Sequence, residues 1–183
     1  PRFMDLADQN VLVAGAGEVG LRRASAVLKA MPARLDLIDP FLDEQAVRIQ
    51  LPSEDLYLHR RPFEAADLHG KSLVFAATEK REVNALIASL CREKKLLCNI
   101  ADAPAEGNFI VPALVETGGL TIALSTGGQS PALARFLRRD LEAWVEKRYI
   151  PLLVLLGRLR PMILELELPT GENSALFRNI VAS

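Results

Sequence analysis

Residues 11–20 read Val-Leu-Val-Ala-Gly-Ala-Gly-Glu-Val-Gly, and this stretch decides the fold class of the chain. The apolar run 11–14 is typical of a parallel strand that is buried on both faces. The next six residues form the pattern G-x-G-x-x-G, after which apolar residues recur at helical spacing up to Pro32. The order of strand, glycine turn and helix predicts a βα unit in which the first glycine permits the tight turn and the third permits close packing.

Outward from this turn, apolar strands alternate with helical stretches through about residue 100. Further strands are predicted at residues 35–38, 56–58, 72–77 and 96–100, and further helices at 41–50 and 79–95. In the helix at 79–95, the predicted buried stripe consists of Val83, Leu86, Ile87, Leu90 and Cys91. This alternation predicts an α/β fold with a Rossmann-type parallel sheet.

The pattern changes after residue 102. Two strand-like runs, 109–115 and 120–125, are joined by Glu-Thr-Gly-Gly, which is a hairpin signal. Ser130-Pro131 is a favourable start for a helix, and the chain from there to residue 183 is predicted to be helical. A small β-hairpin region and a helical carboxy-terminal domain are therefore expected after the sheet.

Composition restricts the class of ligand. Half of the 183 residues are apolar, and 22 basic against 23 acidic residues give a net charge of −1, which argues against a nucleic-acid binder. The stretch 133–160, however, holds seven basic and three acidic residues, which favours an anionic small molecule. Residues 1–10 carry no secretory signal, and no apolar run approaches the roughly 20 residues that span a bilayer. We expect a cytoplasmic protein with two half-buried thiols.

The glycine turn predicts a dinucleotide site made by Gly15, Gly17, Glu18, Val19 and Gly20. At the second glycine a pyrophosphate can approach the backbone, and the amides that follow point at the phosphates. Asp39 stands 24 residues after the first glycine, where a carboxylate binds the ribose 2′-hydroxyl and repels a 2′-phosphate. NAD is therefore predicted over NADP. The alternatives are a turn that only packs tightly and an ordinary turn acid before Pro40.

Two later segments carry further candidate residues. Asp102 follows a predicted strand at the sheet edge where open α/β folds bind ligands, although a lone acid there is usually a turn former. Residues 125–131 combine small polar side chains, two glycines and a helix start, which together form a nest for carboxylates. Three arginines, Arg135, Arg138 and Arg139, share one face of the following helix, and a solvated basic face is the alternative reading. No ligand set for a metal is identified, and His59 and His69 are expected to be surface or core histidines.

In this order, five segments resemble the precorrin-2 dehydrogenase / sirohydrochlorin ferrochelatase family, the amino-terminal module of siroheme synthase. They are VLVAGAGEVG (11–20), FAATEKREVN (75–84), CNIADAP (98–104), NFIVPA (108–113) and LSTGGQSPALAR (124–135). The resemblance implies NAD-dependent oxidation of precorrin-2 to sirohydrochlorin, followed in some members by insertion of ferrous iron, and a homodimer formed through the hairpin. Members of the family differ in whether they insert iron, and siroheme, cobalamin and other modified tetrapyrroles share the intermediate.

The resemblance also implies roles for individual residues. Asp102 becomes the catalytic residue, and cofactor contacts are added at Pro40, Phe41, Thr78 and Asn84. Substrate contacts are implied at Asn108, Ser125, Thr126, Gly127, Gly128, Ser130, Arg135 and Arg138. The implied division is an NAD-binding domain at 1–107, a hairpin region for dimerisation at 108–129 and a helical domain at 130–183. No methyltransferase domain is expected in a chain of this length.

Two other functions fit the glycine turn. A regulatory NAD-binding module needs the turn and Asp39, but has no use for the segments at 98–104 and 125–131. A different short Rossmann oxidoreductase would supply a Tyr-x-x-x-Lys pair, and neither Tyr57 nor Tyr149 has a lysine four residues on.

Overall fold

A computed structural model describes residues 4–182 of the chain. They fall into two compact units, one ending at Val111 and one beginning at Pro112. The first unit holds a five-stranded parallel sheet with helices, and the second holds an antiparallel hairpin followed by helices. The predicted fold class is confirmed. The division into three domains stays a prediction. In the structure, the hairpin and the helices after it belong to one unit.

The first unit follows the predicted alternation. Its elements are β1 (Asn10–Ala14), α1 (Glu18–Lys29), β2 (Arg34–Ile38), α2 (Glu44–Gln50), β3 (Leu56–His59), β4 (Leu73–Ala76), α3 (Arg81–Glu93) and β5 (Leu97–Ile100), with short 3-10 helices at Ala65–Leu68 and Pro104–Glu106. The strand order is β3-β2-β1-β4-β5 and every pair is parallel. The glycine turn therefore follows the central strand.

Both faces of the sheet are buried, as the apolar run in β1 predicts. Val11 and Val13 pack in one core with α1 and α2, whereas Leu12 and Ala14 pack in a second core with α3. The thiols of Cys91 and Cys98 lie in this second core, fully rather than half buried. The side chain of Cys91 and burial together raise the pKa of the Cys98 thiol.

The buried stripe of α3 differs from the prediction. Its buried residues are Asn84, Ile87, Ala88 and Cys91, while Leu86 is 51% exposed. The predicted stripe was wrong at Leu86 because a polar residue, Asn84, occupies a buried position on the helix. Burial of an amide costs free energy unless hydrogen bonds satisfy it, so this residue needs partners.

The run after residue 108 is not a strand until Ala113, so the predicted strand at 109–115 was wrong at its start. The ring of Phe109 packs edge-on against Phe75, with 5.5 Å between ring centroids. Asn108 turns its side chain to β5: Nδ2 donates to the Leu96 carbonyl at 2.8 Å, and Oδ1 accepts from the Cys98 N–H at 2.7 Å. This segment therefore completes the outer edge of β5.

The second unit begins with the predicted hairpin. β6 (Ala113–Thr117) and β7 (Leu120–Leu124) pair antiparallel across Gly118-Gly119, whose φ angles of +53° and +86° suit a tight two-residue turn. The helices α4 (Pro131–Arg148), α5 (Ile150–Leu164) and α6 (Thr170–Ala182) follow, with α4 packed on β6 and α5. Among the residues the structure describes, no helix has the length and apolarity to cross a membrane.

Candidate functional site

The glycine turn joins the ends of two strands closely. Gly15 has φ +103°, and a Cβ atom on it would lie 2.2 Å from the carbonyl oxygen of Ala77, just after β4. A Cβ atom on Gly20 would lie 1.9 Å from the carbonyl oxygen of Gly15. Side chains at these positions would therefore displace backbone, which gives the first and third glycines the structural roles that the pattern predicts.

The second glycine has a different environment. Gly17 is the N-cap of α1 and offers no side chain to the helix, so the amides of Glu18, Val19 and Gly20 have no partner within the helix. A Cβ atom on Gly17 would meet nothing within 4 Å. An uncapped helix start beneath open space fits a dinucleotide phosphate, which would contact these amides and the positive end of the helix dipole.

Asp39 lies directly after β2, beside the glycine turn. Its Oδ2 accepts from the Ala16 N–H at 2.9 Å, and its Oδ1 accepts from the Phe41 N–H at 2.8 Å. Pro40 is exposed and Phe41 is 84% exposed. The predicted position of this carboxylate at the strand tip is confirmed, and each oxygen keeps a lone pair for a ribose hydroxyl.

Asp102 lies two residues after β5, at the same carboxyl edge of the sheet. Its Oδ1 accepts from Asn84 Nδ2 at 3.0 Å, and its Oδ2 lies 3.7 Å from Arg81 Nε. The Arg81 guanidinium also pairs with Glu106. The carboxylate is 39% exposed, so it is held by neighbours yet remains open to a reacting molecule.

Asn84 connects the loop after β4 with the loop after β5. Thr78 donates to its Oδ1 from the backbone at 3.1 Å and from the hydroxyl at 2.7 Å, while Asn84 Nδ2 donates to the Thr78 carbonyl at 3.0 Å. The structure thus brings three predicted site residues, Thr78, Asn84 and Asp102, into one network. Two further members, Arg81 and Glu106, were missed by the sequence analysis.

In the second unit, the predicted nest at residues 125–130 is an ordered turn. Thr126 Oγ1 accepts from the Ser130 N–H at 3.2 Å, Ser125 Oγ accepts from the Gly127 N–H at 3.1 Å, and Ser130 Oγ caps α4 by accepting from the Leu133 N–H at 3.1 Å. Gly127 and Gly128 have positive φ angles. The three hydroxyls therefore shape the turn themselves.

Two predicted substrate arginines lie on α4 and differ in their ion pairing. Arg138 pairs with Glu142 at 3.0 Å, whereas exposed Arg135 makes no ion pair within the described part of the chain. Asn108 uses its side-chain amide on β5. Its role as a substrate contact, like the roles of the nest and the arginines, stays a prediction.

A buried ion cluster in the sheet was also missed. Asp36 on β2 accepts two hydrogen bonds of 2.8 Å from Arg34, one of 2.6 Å from His59 Nε2 and one from Lys71. Burial by itself would raise the pKa of Asp36, but these hydrogen bonds hold it well below its ordinary value. The sequence signal was a lone acid between apolar residues of a buried strand. No group of three or more metal-ligating side chains occurs among the described residues.

Together, the parallel sheet, the glycine turn and the acid after β2 define a Rossmann-type domain of the dinucleotide-binding class. The model of a putative NAD(P)-binding family matches residues 2–113, and the chain belongs to that family. A second model, described as sirohaem biosynthesis protein central, matches residues 117–143.

The chain is similar to siroheme synthases, which confirms the resemblance seen in its sequence. It is 34% identical to siroheme synthase 1 of Aeromonas salmonicida over 183 residues and 36% identical to the siroheme synthase of Pseudomonas fluorescens over 163 residues. These matches cover 100% and 89% of the chain, but only 39% and 35% of the relatives. A solved structure named SirC, precorrin-2 dehydrogenase, shares the fold with a TM-score of 0.83 at 24% identity, covering 99% of this chain and 88% of that one.

Proposed function

We propose that the chain catalyses the NAD-dependent oxidation of precorrin-2 to sirohydrochlorin, the dehydrogenase step of siroheme biosynthesis. The observation that carries the proposal is the position of Asp102. Its carboxylate lies at the sheet edge that bears the glycine turn, and contacts through Asn84 and Thr78 link it to the strand end against which Gly15 packs. The likeness to siroheme synthases and to a precorrin-2 dehydrogenase supplies the substrate.

In the proposed reaction, Asp102 and the bound dinucleotide have separate roles. A bound nicotinamide dinucleotide supplies the hydride acceptor. The oxidation removes one hydride and one proton from the macrocycle, and Asp102 accepts that proton as a general base. Asn84 donates to Oδ1 and Arg81 lies 3.7 Å from Oδ2, and each oxygen keeps a lone pair for the proton.

Selection of NAD over NADP rests with Asp39. Its carboxylate stands at the tip of β2 beside the phosphate-binding turn, where the 2′ position of the adenosine ribose lies in Rossmann domains. A negative side chain there hydrogen-bonds a hydroxyl and repels a phosphate.

Substrate binding falls to the basic helix. The carboxylates of precorrin-2 would pair with Arg135, which has no acidic partner in the described chain, and with Arg138. At the start of α4 the N–H of Ala132 is available to a carboxylate, since those of Ser130 and Leu133 are bonded within the turn and Pro131 has none.

A homodimer is part of the proposal. The sheet of the second unit consists of only β6 and β7 in the described residues, so each strand has an open edge. On α4, Leu133, Phe136 and Trp144 are about half exposed. Open strand edges and exposed apolar side chains favour association with a second copy. Sedimentation velocity at micromolar concentration tests it, and a monomer would refute it.

The function is tested by an anaerobic assay with precorrin-2 and NAD, followed by absorbance of NADH and of sirohydrochlorin. Parallel reactions with ferrous and with cobaltous ion report whether metal insertion follows. NADH formation in step with sirohydrochlorin is the expected result. Tight NAD binding without turnover would instead assign the chain to the regulatory, non-catalytic class.

A further inference from the structure

We infer that Asn84 is a positioning residue for Asp102 and not a contact of the cofactor. The inference rests on the proposed function, because it assigns Asn84 a role in the proton transfer to Asp102. It differs from the expectation, implied by the resemblance, that this amide contacts the dinucleotide.

The hydrogen bonds fix the orientation of the Asn84 amide. The backbone N–H of Thr78 can only donate, and it faces an Asn84 atom at 3.1 Å, which must therefore be the oxygen. The amide nitrogen is then the atom that faces Asp102. Its N–H groups point at the carbonyl of Thr78, at 3.0 Å, and at Asp102 Oδ1, at 3.0 Å.

The amide has no capacity left for a ligand. A side-chain amide offers two donor hydrogens and two acceptor lone pairs. In Asn84 both hydrogens are used, on Thr78 and Asp102, and the oxygen accepts from the Thr78 backbone N–H. The Thr78 hydroxyl, which shares its one hydrogen between Asn84 Oδ1 at 2.7 Å and the Lys80 carbonyl at 3.1 Å, covers the second lone pair. The residue is also 1% exposed. A dinucleotide could reach it only by breaking an existing bond.

The consequence for Asp102 is directional. A donor on Oδ1 restricts the rotation of the carboxylate, so that Oδ2 stays on the side of Arg81. Because Thr78 holds the amide from the loop after β4, the direction of the Asp102 carboxylate depends on both loops. If Asn84 could not donate a hydrogen bond, the carboxylate of Asp102 would lose this fixed orientation although the protein remained folded.

Asn84→Ala removes the donor to Asp102 without adding a charge, and Asn84→Asp keeps the shape but replaces the donor with a second carboxyl group 3.0 Å from Asp102; both test the inference. A hydrogen bond to a charged group justifies an expected fall in kcat of about tenfold or more. The KM for precorrin-2 and the Kd for NAD, measured by fluorescence titration, should stay within about twofold, because Asn84 touches neither molecule. Ile87→Val, on the same buried face of α3, controls for a general loss of stability.

Two kinetic results would overturn the inference. A weaker Kd for NAD at unchanged kcat would make Asn84 a cofactor contact. An unchanged kcat together with an unchanged Kd for NAD would show that Asn84 has no role in catalysis or in NAD binding.

A second measurement needs neither turnover nor a folded Asn84 variant. In the ¹⁵N spectrum, the side-chain NH₂ signals of Asn84 should move in Asp102→Asn and stay in place in Asp8→Asn, an exposed acid elsewhere. Signals that do not move in Asp102→Asn would disprove the contact. If the wild type does not oxidise precorrin-2, the proposed function fails while this spectrum still decides the contact.

Discussion

The carboxylate of Asp39 accepts a hydrogen bond from the backbone N–H of Ala16 at 2.9 Å, so the tip of β2 is tied to the turn that follows β1. A single acid therefore shapes the turn and presents its charge beside it. This relationship makes the nucleotide preference testable at one position.

Asp39→Ala should relax discrimination against NADP, because the charge that repels a 2′-phosphate is removed. The measurement is kcat/KM with each nucleotide. Asp43→Ala is the matched control: it removes an acid that caps α2 through the Ala46 N–H, at a typical cost of about 1 kcal/mol, and should keep the preference. An unchanged NAD/NADP ratio in Asp39→Ala would refute the role.

The glycines of the turn should respond differently to alanine. Gly17→Ala places its Cβ in open space at an ordinary φ of −71°, so Tm should hold while NAD affinity falls. Gly20→Ala places its Cβ 1.9 Å from a backbone oxygen, so Tm should fall as well. Thermal unfolding with NAD titration separates the two effects. A Gly17→Ala protein with wild-type affinity would contradict phosphate binding at this turn.

Asp102→Asn keeps the shape of the side chain but removes the base. General-base catalysis contributes about 10²- to 10⁴-fold, so kcat should fall by that order. NAD binding should survive, because the phosphate and ribose positions are formed by other residues. Asp8→Asn, at an exposed acid outside this network, serves as the control in steady-state kinetics. A kcat near that of the wild type in Asp102→Asn would show that Asp102 is not the general base.

Arg135→Ala should raise KM for precorrin-2 and leave kcat nearly unchanged, because a carboxylate contact is shared by the ground and transition states. Lys147→Ala removes an exposed cation from the last turn of the same helix and should change neither constant. Equal effects of the two substitutions would show that the net charge of the helix matters and that Arg135 has no specific contact.

The ion cluster around Asp36 predicts a pH dependence of stability. Because the folded pKa of Asp36 lies below its ordinary value of 3.8, its stabilising contribution is present above that value and is lost as the pH falls through the folded pKa. Asp36→Asn leaves Lys71 buried without its partner, at a cost of about 3–5 kcal/mol at pH 7. Its urea-unfolding free energy should also change less between pH 5 and acid pH than that of the wild type. Parallel profiles would show that other carboxylates control acid unfolding.

The parts of the fold that were predicted correctly are those set by local pattern. The turn at Gly15–Gly20 requires a positive φ at Gly15 and a close approach of backbone atoms at Gly15 and Gly20. The spacing of the glycines in the sequence predicts both requirements. The hairpin depends on Gly118-Gly119, which is again local. The strand start at Ala113 was misjudged because Phe109 is apolar for a different reason: it packs on Phe75, a contact that adjacent residues do not reveal.

The candidate site was predictable only in part for the same reason. Asp102 and Asn84 are separated by 18 residues, and their contact arises because β4 and β5 are neighbours in the sheet. Arg81 carried no signal, since a basic residue at a helix start is ordinarily solvated. Asn84 did carry one: a polar residue lies one, three and seven positions from apolar residues of the same helix. Such a residue requires partners, and finding them required the structure.

The way in which Asn108 closes β5 has a consequence for the chain as a whole. An uncovered strand edge is a template on which any extended polypeptide can pair. Here one amide side chain occupies a donor and an acceptor that a sixth strand would otherwise take. The sheet therefore ends at β5, and the next strand, β6, begins at Ala113 in the second unit. At the β5 edge, another extended chain is therefore denied the Leu96 carbonyl and the Cys98 N–H.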